Sequence, residues 1–328
     1  MRKILLTLAT VLASIVANAA TTNTVTVVYN GMTATVTIPS EISSYVQNLS
    51  GSSSHVKLLQ TSTTDKNPGE IIYALSGSSN DGEFYMTGEY KATLQLNGLT
   101  LNNPDSTAIH IKDGKRIKVS MAPNTVSTLS DGARDTTSKG CLHSKGHTEL
   151  VGKGTLNISS SIRHAIYSKE YLTIKNCTLN ITGAKKDGIH CGEYFLMSSG
   201  IVKISNVEDD GIQVELKDAI ATDQTKLHED ENSGNFYMTD GTLTMTDIEN
   251  YCVKAYGNIY FTGGTRNFDT SNIQDHSETA ISSLQRTGST GERLVYDLNG
   301  RRMPGSATLP KGLYIVKEGD KVSKILVK

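Results

Sequence analysis

Four carboxylates occur at two places in the sequence that are 23 residues apart. Asp187 starts the segment DGIH, and Asp210 starts the matching segment DGIQ, with Glu208 and Asp209 directly before it. Carboxylates held close together repel one another unless they are protonated or neutralised by a cation. Calcium, a hard divalent ion that prefers oxygen ligands, would neutralise such a group. The candidate metal ligands are therefore Asp187, Glu208, Asp209 and Asp210.

This chemistry requires that residues one period apart lie close together in space. The alternative is a solvated acidic turn whose charge is partly balanced by Lys185 and Lys186. The distinction depends on the elements that position the two segments.

An apolar period runs through the middle of the chain. Marker residues recur with gaps of 25, 32, 23, 23, 41 and 23, and each is followed seven residues later by another apolar residue. A fixed period in the twenties predicts a solenoid, with the two long gaps as loops. The markers are Leu94, Val119, Val151, Ile174, Met197, Met238 and Phe261. The second apolar positions are Leu101, Val126, Ile158, Ile181, Ile204, Met245 and Phe268.

Short strands between these positions supply a candidate ligand-binding row. Each has an apolar second residue that should point inward, so alternation aims the third residue outward. The outward row is predicted to be His110, His143, Tyr167, His190, Gln213 and Lys254. Such a polar and aromatic strip beside the acidic turn suits an extended polymer rich in hydroxyl and carboxylate groups. The alternative is that any solvent-facing strand carries polar residues.

We predict an all-β fold, a right-handed parallel β-helix with an N-terminal β cap and a small C-terminal β module. The handedness follows the preference of parallel crossovers. The chain then divides into a signal peptide (1–20), a cap (21–80), the β-helix (81–270), a linker (271–291) and a C-terminal module (292–328). Asn30-Gly31 between two alternating runs predicts a hairpin in the cap.

The bulk composition sets limits on partners and location. The formal net charge is −1 over 328 residues, so no global field favours nucleic acid. A positive start, an apolar run to Val16 and the sequence Ala17-Asn18-Ala19 are typical of a secretory signal peptide. We expect export, no transmembrane span and a monomer. The four cysteines lie at repeat positions that do not bring them together in pairs, which predicts free, mostly buried thiols. No spacing of cysteines and histidines fits a zinc site.

Several stretches resemble a secreted, calcium-binding β-helix family that recognises acidic plant polysaccharides and cellulose. The likeness lies in TVTVVYNG, SNDGEFYMTGEYKATLQLNGLTL, HAIYSKEYLTIKNCTLNI, KDGIHCGEYFLMSSG and DDGIQV. That family is in turn similar to β-helical calcium-dependent pectate lyases. The resemblance implies that Asp187, Asp209 and Asp210 match calcium positions, and that Lys254 would be the catalytic base of a lyase. No arginine repeats beside Lys254, which weakens the catalytic inference.

The tail resembles the C-terminal sorting domain of the Bacteroidota type nine secretion route through VYDLNGRR, LPKGLYIV and the terminal KILVK. This resemblance implies secretion or cell-surface display through that machinery.

Three functions are compatible with the sequence. The first is calcium-dependent binding of acidic, pectin-like or cellulosic polysaccharide. The second is a calcium-dependent polysaccharide lyase that uses Lys254, and the third is a structural cell-surface spacer.

Overall fold

The structure, a computed structural model, describes residues 23–61, 68–132, 138–216, 231–275, 293–297, 302–303, 311–318 and 321–327. The predicted signal peptide, most of the long insertion after Val214 and most of the predicted linker lie outside the described residues. Nearly all regular structure in the described part is β-strand. No helix there is long and apolar enough to cross a membrane.

The described chain winds into coils, and each complete coil contributes one strand to each of three faces. The first face contains β4 (His55–Gln60), β6 (Glu83–Gly88), β9 (Ile109–Ile111), β12 (Gly140–Ser144), β15 (His164–Ser168), β18 (Ile189–Cys191), β21 (Ile212–Val214), β24 (Val253–Ala255) and β27 (Ile273–Gln274). The second contains β5 (Ile71–Ser79), β7 (Ala92–Leu96), β10 (Ile117–Met121), β13 (Thr148–Gly152), β16 (Leu172–Lys175), β19 (Tyr194–Met197), β22 (Asn235–Met238) and β25 (Ile259–Phe261). The third contains β8 (Thr100–Asn103), β11 (Val126–Asp131), β14 (Thr155–Ser160), β17 (Thr178–Ala184), β20 (Ile201–Val207), β23 (Thr242–Ile248) and β26 (Thr265–Asn267).

Each of these strands pairs in parallel with its equivalent in the neighbouring coil. The long strand β5 pairs with both β7 and β8, so the second and third faces form one continuous hydrogen-bonded sheet. The predicted fold class, an all-β parallel β-helix, is confirmed.

The N-terminal segment combines antiparallel and parallel pairing. The predicted hairpin is present as β1 (Thr24–Asn30) and β2 (Thr33–Thr37). After a 3₁₀ turn at Ser40–Ile42, β3 (Val46–Asn48) pairs antiparallel with β4. However, β1 also pairs in parallel with β5, and β4 pairs in parallel with β6. Parallel pairing therefore starts before residue 81, inside the segment that the sequence assigns to the cap.

The described C-terminal strands are β28 (Arg293–Tyr296), β29 (Arg302–Met303), β30 (Gly312–Glu318) and β31 (Lys321–Val327). They form a separate antiparallel sheet in the order β29, β28, β30, β31.

The core is a stack of equivalent apolar residues inside the coils. The inward column of the first face is fully buried over six successive coils: Ile109, Leu142, Ile166, Ile189, Ile212 and Val253. All four cysteines are free and buried. They behave as small apolar residues here, because burial raises the pKa of the Cys141 thiol.

Two of the predicted marker positions are wrong. Val119 pairs with Leu150, not Val151, since Leu150 is the buried member of that strand. Leu129, not Val126, lines up with Leu101 and Ile158, and Val126 is 57% exposed. Apolar character alone cannot tell which side of a strand a valine faces, and the turn before β11 is longer than in other coils.

Glycine is required where two turns approach each other. A Cβ at Gly188 would lie 2.7 Å from the carbonyl oxygen of Gly211, and a Cβ at Gly211 would lie 2.6 Å from that of Cys252. Such distances are too short for a side chain, so these positions demand glycine. Because Gly188 and Gly211 directly follow Asp187 and Asp210, the same close approach brings the two acidic turns together.

The stacked core predicts a test of the coil-to-coil packing. Phe195 is fully buried and stacks on Phe236 with ring centroids 4.9 Å apart. We expect Phe195→Ala to lower the free energy of unfolding by about 3–5 kcal/mol because it leaves a cavity. Denaturant unfolding followed by circular dichroism measures this loss. Leu196→Ala, at the outward-facing neighbour, is the control, and an equal loss in both variants contradicts the assigned register.

Candidate functional site

The predicted outward row of the first face is continuous in the structure. Register pairs join His110 to His143, His143 to Tyr167 and Tyr167 to His190. The row continues from His190 through Gln213 to Lys254. It also extends backwards, because Tyr85 pairs with His110. Strand pairing thus brings all six predicted ligand-binding residues side by side.

The rings of this row present mainly their edges to the surface. His110 and His143 stack with centroids 4.4 Å apart and planes 12° apart, and Tyr167 stacks on His190 at 5.2 Å and 18°. Because these separations are close to the spacing of neighbouring strands, the two rings of each pair cover each other's faces. Their edges are left to point towards the surface. His143 and Tyr167 meet edge to face. The row therefore offers hydroxyl and imidazole groups for hydrogen bonds more than ring faces for stacking.

Three of the four predicted metal ligands come together. Asp187, Asp209 and Asp210 each offer an oxygen within 4.8 Å of the others. Asp187 and Asp210 are fully buried, whereas the Asp209 side chain is 24% exposed. Acidic clusters that could hold a metal ion are thus present in the described part of the chain.

Asp187 is held between two histidines. Its Oδ2 accepts a hydrogen bond from His190 Nδ1 at 2.8 Å and lies 3.2 Å from His164 Nδ1. Its Oδ1 accepts the backbone N–H of Asp210 at 3.3 Å. Burial alone would raise the pKa of Asp187, but the imidazoles of His164 and His190 hold that pKa well below its usual range.

His190 carries the positive charge of this pair. Burial opposes its protonation, but hydrogen bonds to Asp187 and Glu215 raise the pKa of His190 to about 9. Its Nε2 lies 3.4 Å from Glu215 Oε2. In contrast, burial lowers the pKa of His164. His164 Nδ1 faces two groups of Asp187, the carboxylate Oδ2 and the backbone N–H, each at 3.2 Å.

Lys254 closes the other side of the cluster. Its Nζ donates to Asp210 Oδ2 at 3.0 Å, while the N–H of Tyr251 donates to Asp210 Oδ1 at 3.1 Å. Burial opposes the charge on Lys254, but Asp210 raises its pKa. An ammonium group held in its protonated form is a poor general base. This geometry weighs against the catalytic role that the resemblance implies for Lys254.

Asp209 and Glu208 lie further out. Asp209 Oδ1 accepts a hydrogen bond from Asn250 Nδ2 at 2.9 Å, and Lys186 lies 3.4 Å from its Oδ2. The carboxylate of Glu208 forms an ion pair with Lys185, and its side chain is 48% exposed. Glu208 lies outside the three-carboxylate cluster, because it comes one residue earlier in the turn than Asp209 and faces Lys185.

Sequence reasoning missed two groups of residues. His164 precedes Ala165 as Asp187 precedes Gly188, so the 23-residue period could have found it. His147 contacts Glu170 at 3.0 Å and Glu193 at 3.2 Å at the corner between the first and second faces. The 23-residue period marks that second cluster as well, since Glu170 follows His147 and Glu193 follows Glu170 by one period each.

The fold and the acidic turns define a parallel β-helical protein whose first face carries a polar row that ends beside a carboxylate cluster. Residues 60–297 match the model of a family described as carbohydrate-binding domain-containing protein. Because this match covers well over half of the chain, the protein belongs to that family.

Two known proteins are similar to it. A carbohydrate-binding domain-containing protein of Acetivibrio thermocellus is 27% identical over 112 residues, which are 31% of this chain and 39% of the relative. The chain thus spans about two fifths of the length of that relative. A solved structure of a polysaccharide lyase-like protein from C. thermocellum, a gadolinium derivative, superposes with a TM-score of 0.55 at 17% identity. The superposition covers 77% of this chain and 99% of that one, and at this identity it shows the shared fold.

The row contains a pH-sensitive residue. His143 Nδ1 is buried with no hydrogen-bond partner among the described residues. Burial, followed by the charges of His110 and Lys139, lowers the pKa of His143 to about 3.

This shift predicts acid destabilisation. Between about pH 6.5, the ordinary histidine pKa, and pH 3, the unfolded chain takes up a proton at His143 that the folded chain does not. Protonation of His143 therefore does not lower the free energy of unfolding above this window. Within the window, that free energy falls by at most about 1.4 kcal/mol per pH unit. We expect His143→Gln to flatten this part of the curve, as measured by denaturant unfolding from pH 7 to pH 4. Parallel curves for the two proteins would show that His143 does not contribute.

Proposed function

We propose that this protein binds polysaccharide along the first face, as a secreted or surface-displayed module for acidic, pectin-like or cellulosic glycans. The single observation that carries the proposal is the continuous row from His110 to Lys254, which ends beside the cluster of Asp187, Asp209 and Asp210. Membership of a carbohydrate-binding family supports the same conclusion.

The row suits a polymer because both repeat. Neighbouring strands of a sheet lie about 4.8 Å apart, so successive side chains offer hydrogen-bonding groups at a regular spacing. The imidazole, phenol and amide groups of the row donate to and accept from sugar hydroxyls. Lys254, whose side chain is 35% exposed, adds a positive charge at one end for a uronate carboxylate.

Calcium is the ion that the carboxylate cluster fits best by chemistry. Asp187, Asp209 and Asp210 supply only oxygen ligands within this cluster, the kind that calcium prefers. The ammonium of Lys254 occupies the place of a cation beside Asp210. A bound calcium ion would contribute positive charge that can bridge protein and uronate carboxylates.

Lys254 and calcium then compete for Asp210. Lys254 is long, flexible and partly exposed, so its ammonium can leave Asp210 without unfolding the coil. Asp209 is the more accessible ligand, and its partners Asn250 and Lys186 lie at the surface. The affinity for calcium is therefore set by how strongly these protein donors hold the carboxylates.

Binding is favoured over lysis because Lys254 is paired with a carboxylate and its pKa is raised. It is favoured over a purely structural role because a spacer needs no aligned row of ring edges. We further propose export or display through the C-terminal module, in line with the resemblance of its sequence to sorting domains.

Calcium binding has a defined mutational signature. We expect the double substitution Asp209→Asn and Asp210→Asn to weaken calcium binding at least tenfold, because two ligand charges are lost. Lys254→Met should strengthen it, since a competing cation is removed. Isothermal titration calorimetry with calcium chloride measures both effects. Glu208→Gln is the matched control, and a loss of similar size in that variant would rule out the assigned ligands.

Glycan binding has a separate test. We expect the double substitution His110→Ala and Gln213→Ala to weaken retardation in gels that contain polygalacturonate or a soluble cellulose derivative. Each lost hydrogen bond is worth about 1 kcal/mol, or roughly fivefold in affinity. Thr155→Ala with Thr178→Ala on the third face is the control. Undiminished retardation of the row variant would exclude the first face, and steady release of unsaturated uronides would indicate a lyase.

A further inference from the structure

Three side chains on two neighbouring coils converge at the first face. Asp187 Oδ2 lies 2.8 Å from His190 Nδ1 and 3.2 Å from His164 Nδ1. One ligand atom from each of these residues lies within 4.8 Å of the other two. All three side chains are well covered, with exposed fractions of 1% for Asp187, 7% for His164 and 13% for His190.

We propose that His164, Asp187 and His190 form a binding site for a divalent first-row transition metal ion, with zinc as the representative. Imidazole nitrogens select such ions over calcium, which prefers oxygen. Two histidines and one carboxylate also make up the protein part of many zinc sites that keep one position open.

The distances fit a common ion. Zinc binds histidine nitrogen and carboxylate oxygen at about 2.0–2.2 Å, so two ligand atoms on one ion lie roughly 3.0–3.4 Å apart in octahedral or tetrahedral geometry. The separation of 3.2 Å lies within this range, and the separation of 2.8 Å needs a shift of only a few tenths of an ångström to reach it.

His164 Nδ1 is placed to act as a metal ligand. It lies 3.2 Å from Asp187 Oδ2 and within hydrogen-bond distance of the backbone N–H of Asp187. The contact with the N–H is long, at 3.2 Å, and a metal ion can displace it. His190 Nδ1 gives up the proton that it now donates to Asp187, as metal binding to a histidine requires.

The second nitrogen of His190 supplies independent support. Its Nε2 lies 3.4 Å from the carboxylate of Glu215. Metal-binding histidines commonly donate their other ring N–H to a carboxylate, which fixes the ring and makes it a better ligand. Glu215 is held in turn by Gln213 Nε2, which donates to its Oε1 at 2.8 Å.

This site differs from the calcium site of the proposed function and does not depend on it. Asp187 is shared, but Oδ2 faces the histidines whereas Oδ1 faces the backbone of Asp210. Asp209 contributes only to the oxygen cluster, and His164 only to the nitrogen site. A substitution of Asp209 therefore affects only the calcium site, and a substitution of His164 affects only the zinc site.

The test titrates the full chain, first stripped with a chelator, with zinc chloride by calorimetry and with cobalt chloride by visible absorption. We expect one zinc ion per chain and a cobalt spectrum typical of nitrogen and oxygen ligands. His164→Gln should weaken zinc binding at least tenfold, and Glu215→Gln by about 10- to 100-fold. Asp209→Asn should leave zinc binding unchanged while it weakens calcium binding.

Several results would overturn the proposal. These are no stoichiometric zinc binding by the wild-type chain, unchanged affinity in His164→Gln, or a cobalt spectrum with thiolate charge-transfer bands that indicate a cysteine. Circular dichroism of each variant verifies the fold, and His164→Asn replaces His164→Gln if the latter does not fold. Gel retardation by polysaccharide, measured separately, reports on the proposed function and not on this site.

Discussion

Parallel register between neighbouring coils is the constraint on which the molecule depends. Each strand hydrogen-bonds to its equivalent one coil away, so a residue type repeated along the sequence becomes a column in space. In the core, columns of apolar side chains bury one another. On the first face, the same register turns separate residues of successive coils into one row and brings Asp187 beside Asp210.

Charge at this corner is balanced locally. Each carboxylate of the turn has a cationic neighbour: His190 for Asp187, Lys254 for Asp210 and Lys186 for Asp209. This pairing offsets part of the cost of burying the carboxylates. It also means that any added cation must displace a protein group, so selectivity depends on which partner is easiest to move. Lys254 is the more accessible partner, with a side chain that is 35% exposed, whereas the side chain of His190 is 13% exposed.

The fold and the row were predictable because both depend on period and alternation. The 23-residue period predicts the coils, and alternation along the strands predicts the outward positions of His110 and Gln213. The partners of Asp187 were not predictable in the same way. His164 lies at the right period, but nothing in its residue type shows that the ring turns towards Asp187. Register errors at Val151 and Val126 arose because valine is compatible with either side of a strand.

The tight contact at Gly188 and Gly211 has a consequence for how such a solenoid can lengthen. A duplicated coil inserted here brings its own turn against two existing backbones, and a Cβ at either position meets a carbonyl oxygen. The equivalent positions of the flanking coils hold Ala165 and Cys252, so glycine is not required throughout the array, but it allows copies of these two acidic turns to stack without a backbone shift. Such copies carry the neighbouring aspartate with them, so an enlarged array would gain acidic sites in step with its length.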